Sequence, residues 1–229
     1  MKKFIITIIL VLLITSCVAE KEAGKIIKKK VSLTTPDNVK IFGDFYPGPS
    51  IKGIILLPMF NSSRESWNEI IKDLQKEKYN ILAIDPRGHG ESTYNLSEPN
   101  EMVIDTKTAF EYLIANNIEQ ISIIGASIGA NTALNFAIDE PRIQSIILIS
   151  PGLDYQGVLT SSTIRDYNKP LLIIAGKKDV YAWESSRTLF NSSPSRVRLQ
   201  GYETDAHGTN ILKEIPESKQ FIINWLKTN

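Results

Sequence analysis

The chain of 229 residues has one cysteine, two histidines and almost no net charge, and each scarcity excludes a class of protein. A single cysteine cannot form a disulfide within the chain or supply a multi-cysteine metal site. A formal charge of +1, without a basic stripe or a phosphate-binding loop, disfavours a nucleic-acid partner. We therefore expect no nucleic-acid partner, no metal and no organic cofactor.

The sequence also lacks a hydrophobic run long enough to cross a bilayer. The longest apolar run covers residues 4–14, well short of the roughly 20 residues that a spanning helix needs. Hydrophobic residues make up 42% and charged residues 22% of the chain, which is ordinary globular composition. The length and composition predict one domain with a substantial core.

The N-terminus has the organisation of a secretory signal peptide. Lys2 and Lys3 precede the apolar run, and small residues follow it. We therefore predict a signal peptide at residues 1–16 and an exported mature protein.

The end of that segment carries a second signal. Residues 14–17, I-T-S-C, resemble the bacterial lipobox, which implies that Cys17 is lipidated and holds the protein to a membrane through acyl chains such as palmitate. An ordinary signal peptide with an incidental cysteine is the alternative. Residues 17–30 are then the lipidated cysteine and a charged tether, and residues 31–229 form the domain.

Alternating strand and helix patterns predict an α/β fold. Short apolar, β-branched runs predict eight strands, at residues 31–34, 39–46, 53–57, 80–84, 120–124, 143–149, 170–175 and 196–202. Helical spacing predicts helices at residues 65–78, 102–117, 128–139, 182–191 and 211–227. A turn at residues 36–38 makes the first two strands antiparallel. The later alternation predicts a mostly parallel sheet with helices on both faces and a site at the carboxyl ends of its strands.

The most informative segment is G-A-S-I-G at residues 125–129, between a predicted buried strand and a predicted helix. This context is typical of a nucleophile elbow, a tight turn that lifts a serine hydroxyl above the sheet. The flanking glycines leave room where larger side chains would collide with the neighbouring strand and helix. Ser127 is therefore the candidate nucleophile. The alternative is a glycine loop with a solvated serine.

An elbow serine works with an acid and then a histidine downstream of it. His207 is the only histidine after Ser127, and it follows the last predicted strand in a polar loop. Asp179 lies in the loop after the predicted strand at 170–175, where the acid is expected. Asp205 and Glu184 are the rival acids; Asp205 is too close to the histidine along the chain to align easily with its ring.

At this point the chain resembles the α/β-hydrolase superfamily from about residue 31 to its end. Residues 85–92, D-P-R-G-H-G-E-S, are similar to the turn that follows the fourth strand in many lipases and esterases. That resemblance makes His89 a turn or rim residue. It also implies the fold predicted above and a Ser127, Asp179 and His207 triad.

One segment departs from the family pattern. The family usually has His-Gly after its third strand, where a backbone N–H forms half of the oxyanion hole, and this chain has Pro58 and Met59. A backbone donor suffices if the loop keeps its course. We expect the N–H of Phe60, or secondly of Met59, to pair with the N–H of Ile128, the residue after the nucleophile.

These features predict a serine hydrolase that cleaves small carboxylic esters through an acyl-enzyme. Only residues 150–169 separate the sixth and seventh predicted strands, so we expect no large cap, at most one helical turn within 158–166, and an open cleft. Core packing and substrate contact are both open for the side chains that flank it, namely Phe60, Leu153, Tyr155, Tyr181 and Trp183. The alternatives are a non-catalytic envelope lipoprotein that binds ligands, and an acyltransferase or amidase with the same triad.

Overall fold

The computed structural model describes residues 27–92 and 99–229. Strands are β1 (Lys29–Thr34), β2 (Lys40–Tyr46), β3 (Lys52–Leu57), β4 (Asn80–Asp85), β5 (Gln120–Ala126), β6 (Ile143–Ile149), β7 (Asp154–Tyr155), β8 (Val158–Leu159), β9 (Leu171–Gly176) and β10 (Val197–Tyr202). Helices are α1 (Asn68–Lys76), α2 (Met102–Ala115), α3 (Ile128–Asp139), α4 (Val180–Ser192), α5 (Asn210–Glu214) and α6 (Glu217–Thr228). Short 3₁₀ helices lie at Arg64–Trp67, Pro99–Glu101 and Thr163–Arg165. The predicted signal peptide, Cys17 and most of the predicted tether lie outside the described residues.

Eight strands form one sheet in the order β1-β2-β4-β3-β5-β6-β9-β10. The β1–β2 and β2–β4 pairs are antiparallel, and every other pair in this sheet is parallel. The predicted fold class, an eight-stranded and mostly parallel α/β-hydrolase sheet without a large cap domain, is confirmed. None of the helices within the described ranges has the length and apolar character that crossing a membrane requires.

The sheet is buried on both faces because its central strands are apolar at consecutive positions. On β3, Ile55 and Leu57 pack with α2 and α3 on one face, whereas Ile54 and Leu56 pack with α1, α5 and α6 on the other. Successive side chains of a strand point to opposite faces, so a continuous apolar run feeds two cores. Both layers hold the carboxyl ends of β5, β9 and β10 in fixed relative positions.

Three local differences from the sequence expectations have simple physical causes. The single helix predicted at 211–227 is two helices, because Pro216 cannot continue α5 and instead starts α6. Strand β1 begins at Lys29, inside the predicted tether, because pairing with β2 extends it by two residues. Residues 150–169 contain the β7–β8 hairpin, which the sequence analysis missed, besides the expected single turn of 3₁₀ helix.

Candidate active site

Ser127 occupies the sharp turn between β5 and α3. Its backbone has φ 54° and ψ −121°, a conformation that costs a non-glycine residue about 1–3 kcal/mol. Hydrogen bonds hold the turn: the Ser127 N–H donates to the Ile149 carbonyl at 2.8 Å, and the Ala130 N–H donates to the Ser127 carbonyl at 2.8 Å. The strained turn is thus fixed both to the neighbouring strand and to its own helix.

The two flanking glycines are required by close backbone contacts. A Cβ atom at Gly125 would lie 2.2 Å from the Gly129 carbonyl oxygen, and one at Gly129 would lie 2.5 Å from the carbonyl oxygen of Pro58. Real Cβ atoms do not approach backbone atoms so closely. Helix α3 therefore packs against β5 and the end of β3 only because both positions lack a side chain.

The side chains of Ser127, His207 and Asp179 form a continuous hydrogen-bonded chain. The Ser127 Oγ lies 2.8 Å from Nε2 of His207, and Nδ1 of the same ring lies 2.6 Å from Oδ2 of Asp179. Asp179 follows β9, and His207 lies in the loop between β10 and α5. Because a carboxylate faces Nδ1, that nitrogen carries the ring proton, which leaves Nε2 free to accept from the serine.

The rival residues lie elsewhere. Asp205 is exposed, and exposed Glu184 pairs with Arg187 one helical turn further on. His89 is buried, and its Nδ1 lies 3.0 Å from the Arg87 carbonyl oxygen. Burial lowers the pKa of His89, and its ring meets that of Phe60 edge-on at 6.3 Å. His89 therefore lies in the turn after β4, as expected from the sequence. Its ring packs against Phe60 of the loop after β3.

A second set of contacts fixes the histidine loop. Gly208, at φ 59°, donates its N–H to the Ser150 Oγ at 2.9 Å. A Cβ at Gly208 would lie 2.7 Å from the Met59 sulfur. The loop after β10 is therefore fastened to the end of β6 and to the loop after β3. Ser150 and Gly208 hold the loop that carries His207. The sequence analysis assigned neither of them this role, although the His-Gly pair at 207–208 was a signal for Gly208.

Ser127 and His207 open into a cavity of about 310 Å³. Its lining is mostly apolar and comprises Met59, Phe60, Ser127, Ile128, Tyr155, Gln156 and His207. Because β3 and β6 flank β5 in the sheet, the loops that follow them form the two walls on either side of Ser127.

The expected oxyanion donors lie at this cavity. Ile128 is the first residue of α3, and the first N–H groups of a helix have no acceptor within it. Met59 and Phe60 line the opposite wall, where the Met59 carbonyl accepts the Ser62 N–H at 3.2 Å and Asn61 has φ 53°. The loop therefore turns sharply just after the two candidate residues.

Of the side chains expected to flank the cleft, Phe60 and Tyr155 line the cavity. Leu153 packs on the core, Trp183 lies against Gly201, and Tyr181 contacts the Tyr155 ring edge-on at 5.6 Å. Of these three, only Tyr181 contacts a residue that lines the cavity, as far as the ring contacts of the described residues show.

The part of the chain that the structure describes contains no group of three or more His, Cys, Asp or Glu side chains arranged to hold a metal ion.

Comparisons with known proteins agree with this architecture. A family model described as serine aminopeptidase, S33, matches residues 49–165, just over half of the chain. The solved structure of the esterase Pf2001 of Pyrococcus furiosus superposes with a TM-score of 0.79 at 26% identity, over 89% of this chain and 93% of that one. The thiohydrolase aneE of Aspergillus aculeatus is 24% identical over 216 residues, 86% of this chain and 65% of that protein. The chain spans 44% to 65% of the length of four curated relatives that it matches.

Proposed function

Because this chain belongs to the hydrolase family described as serine aminopeptidase, S33, we propose that it is a serine hydrolase that cleaves small carboxylic esters. The observation that carries the proposal is the hydrogen-bonded chain from Asp179 through His207 to the Ser127 hydroxyl. Similarity to an esterase of known structure favours ester substrates.

The reaction proceeds in two acyl-transfer steps. His207 takes the proton of the Ser127 hydroxyl as Oγ attacks the ester carbonyl, and Asp179 stabilises the imidazolium that forms. The imidazolium then protonates the departing alkoxide, which leaves an acyl-enzyme. Water, deprotonated by the same histidine, attacks the acyl carbon and releases the acid and the free serine.

The negative oxygen of each tetrahedral intermediate is bound by backbone donors. We assign these to the N–H groups of Ile128 and Phe60, with Met59 as the alternative to Phe60. Each such donor is worth about 3 kcal/mol of transition-state stabilisation in well-studied enzymes. Proline and methionine at positions 58 and 59 do not prevent this, because only the backbone takes part.

The cavity favours small, mostly apolar substrates. Its volume of about 310 Å³ lies at the low end for small-molecule sites, and the hairpin at residues 154–159 covers one side of it.

We also propose that the enzyme is exported and anchored by lipid at Cys17. The support is the sequence alone: a basic start, a short apolar run and the I-T-S-C segment at residues 14–17.

The test combines a reactive probe with substrate profiling. A fluorophosphonate should add mass at Ser127, and p-nitrophenyl esters of short acids should be hydrolysed faster than aminoacyl amides. Ser127→Ala should abolish both reactions with the melting temperature nearly unchanged. The matched control is Ser122→Ala, which removes a buried serine of β5, the strand that precedes Ser127; its hydroxyl lies 3.1 Å from that of Ser145.

Three outcomes would contradict the proposal. Equal ester hydrolysis by wild type and Ser127→Ala would remove the mechanism. An unlabelled wild type without hydrolytic activity would favour a binding module. Faster cleavage of the amides, or transfer of the acyl group to an added alcohol in place of water, would keep the triad and replace the ester substrate.

A further inference from the structure

A second cavity lies between strand β10 and helix α6, away from the candidate active site. Its volume is about 500 Å³, within the range of small-molecule sites. The cavity includes residues 196–198, at the amino end of β10, whereas His207 follows the carboxyl end of this strand. Six residues of parallel strand span roughly 17 Å from first to last. The β10–α6 cavity is therefore separate from the cavity at Ser127.

Two arginine side chains in this cavity lie over aromatic rings of α6. The guanidinium carbon of Arg198 is 4.4 Å from the centroid of the Phe221 ring. That of Arg196 is 6.0 Å from the centroid of the Trp225 ring, and Trp225 is almost fully buried. The five N–H donors of a guanidinium are coplanar, so a guanidinium packed over a ring directs them outwards past the ring edge. Both groups can therefore donate to a ligand in the cavity.

Both arginines extend from the same face of β10, because alternate residues of a strand share a face. Val197 and Leu199 lie on the opposite face and pack on the core. Within the described residues, neither Arg196 nor Arg198 has a carboxylate at salt-bridge distance. Four other arginines do pair with carboxylates, namely Arg64, Arg87, Arg142 and Arg187. The cavity thus has two positive charges that no side chain of the described residues neutralises by a salt bridge.

We propose that the β10–α6 cavity is a second binding site, for an organic phosphate. Its phosphate group accepts from Arg196 and Arg198, whose Cα atoms are roughly 7 Å apart along the strand. A phosphate monoester has a charge of about −1.5 to −2 at neutral pH and three acceptor oxygens. It therefore matches two guanidinium groups better than a singly charged carboxylate does. This inference goes beyond the proposed hydrolase function and does not depend on it.

The remaining lining suits the organic part of such a ligand. Phe221 and Trp225 offer apolar surface beside the two cations. Asn224 lines the same cavity, and its Oδ1 accepts from Nε2 of Gln220 at 2.9 Å. This bond leaves the Nδ2 group of Asn224 as a further donor. A phospholipid headgroup and a soluble phosphate ester share this chemistry, and the experiment distinguishes them.

The test is isothermal titration calorimetry of the full-length protein with phenyl phosphate at about pH 7.5. We expect phenyl phosphate to bind more tightly than inorganic phosphate, which lacks the ring, and than benzyl alcohol, which lacks the anion. A double variant, Arg196→Gln with Arg198→Gln, should lower the affinity for phenyl phosphate roughly ten- to hundredfold, because charge-assisted hydrogen bonds are lost. Phe221→Leu should weaken phenyl phosphate and leave inorganic phosphate within about twofold.

The matched control is Arg165→Gln, at another exposed arginine that has no salt bridge among the described residues and lies outside this cavity. It should keep the affinity for phenyl phosphate within about twofold of wild type. All of these variants should keep the wild-type melting temperature and rate of ester hydrolysis, since none of them changes a residue at Ser127 or His207.

Competition with vesicles identifies the source of the phosphate. If vesicles that contain phosphatidylglycerol displace phenyl phosphate and pure phosphatidylcholine vesicles do not, the site binds an anionic headgroup. If neither displaces it, the ligand is a soluble phosphate ester.

Three results would overturn the site: wild-type affinity in the double variant, an equal loss in Arg165→Gln, or benzyl alcohol bound as tightly as phenyl phosphate. A wild type that binds phenyl phosphate but hydrolyses no ester would overturn the proposed function alone.

Discussion

Ser127 combines backbone strain with a side chain that has a defined partner. Its positive φ lifts the hydroxyl out of the sheet towards His207, and the bonds of its N–H and carbonyl to Ile149 and Ala130 offset the strain. Strain of this kind persists only where the surrounding structure determines it several times over. In this chain the two flanking glycines and the packed helix supply that determination.

At the residue scale, the identity of the acid is the sharpest question. Asp179→Asn should lower kcat for short esters by roughly 10²–10⁴-fold, because an amide cannot fix the productive tautomer of His207 or stabilise the imidazolium. Asp205→Asn is the matched control and should be nearly silent, since the Asp205 side chain is exposed. Steady-state kinetics with one p-nitrophenyl ester measure both. The reverse ranking would make Asp205 the acid.

Sequence order was enough to select Ser127, Asp179 and His207, because a nucleophile, acid and base in that order at the ends of strands are a strong combination. The structure brings the three into hydrogen-bonding distance, and their catalytic role stays a prediction until the variants are assayed. The position of Tyr155 beside the His207 ring could not be predicted. It depends on a two-residue turn, Gln156 and Gly157 at φ 53° and 84°, whose signal is local and short.

At the scale of elements, the elbow depends on contact between α3 and β3. Gly129→Ala would force a Cβ to within 2.5 Å of the Pro58 carbonyl oxygen and 2.6 Å of that of Leu57. We expect a loss of about 1–3 kcal/mol in the free energy of unfolding, as for other overpacked sites, and a much larger loss of activity because Ser127 moves with the helix.

Urea unfolding and ester hydrolysis should be measured together on Gly129→Ala. The control is Gly157→Asn, at a turn position with positive φ where an added Cβ meets no atom within 4 Å and where asparagine is tolerated. Wild-type stability and activity in Gly129→Ala would show that the close packing is not needed.

The turn at residues 85–92 ties β4 to α2 through a buried arginine. Arg87 is fully buried and bonds Asp105 at 2.8 Å, Asp37 at 2.8 Å and Glu101 at 2.7 Å. Removing one partner of such a buried network leaves uncompensated charge. The motif therefore has a structural role, since it holds the β1–β2 connection and α2 against the end of β4.

This network predicts a pH dependence of stability. Hydrogen bonds from Arg87, and then from Thr35, lower the pKa of Asp37 to about 2. Because the folded-state pKa lies below the unfolded value, the contribution of Asp37 is present above about pH 4 and is lost as the pH falls towards 2. Wild type should exceed Asp37→Asn in free energy of unfolding at pH 6, and the difference should vanish near pH 2. Urea titrations at each pH measure it, and a difference that persists unchanged to pH 2 would refute the assignment.

Element boundaries followed the sequence where one physical signal dominated. Helix α3 spans the predicted residues because both of its ends are marked in the sequence. The turn at Ser127 begins it, and it ends at Asp139, since Pro141 follows Glu140 and a proline disfavours a helical conformation in the residue before it. The last helix was predicted as one because its apolar spacing continues across Pro216, where the missing N–H and the ring break it. Apolar periodicity thus detects the buried face, and backbone chemistry decides where the helix ends.

At the scale of the whole molecule, the sheet separates the start of the domain from the site. Strand β1 begins at Lys29. Lys29 pairs with Phe45 of β2, and Phe45 pairs with Leu82, near the amino end of β4. The start of β1 therefore lies beside the amino end of β4. Because both neighbouring pairs are antiparallel, β1 runs in the direction of the parallel strands. Ser127, Asp179 and His207 follow the far ends of their strands. A lipid at Cys17 would therefore attach the domain from the side away from the cleft.

This arrangement predicts that anchoring and catalysis are independent. Cys17→Ser should lose incorporation of labelled palmitate and move from the membrane to the soluble fraction, because one thiol carries the proposed acyl linkage. Its kcat/KM for a water-soluble short ester should match that of the membrane-bound wild type, since attachment on the side opposite the cleft leaves it open to water. The control is Ser16→Ala, which keeps the cysteine and should remain lipidated. Palmitate label retained in Cys17→Ser would refute the anchor, and a soluble form with a changed kcat/KM would show that the cleft faces the bilayer after all.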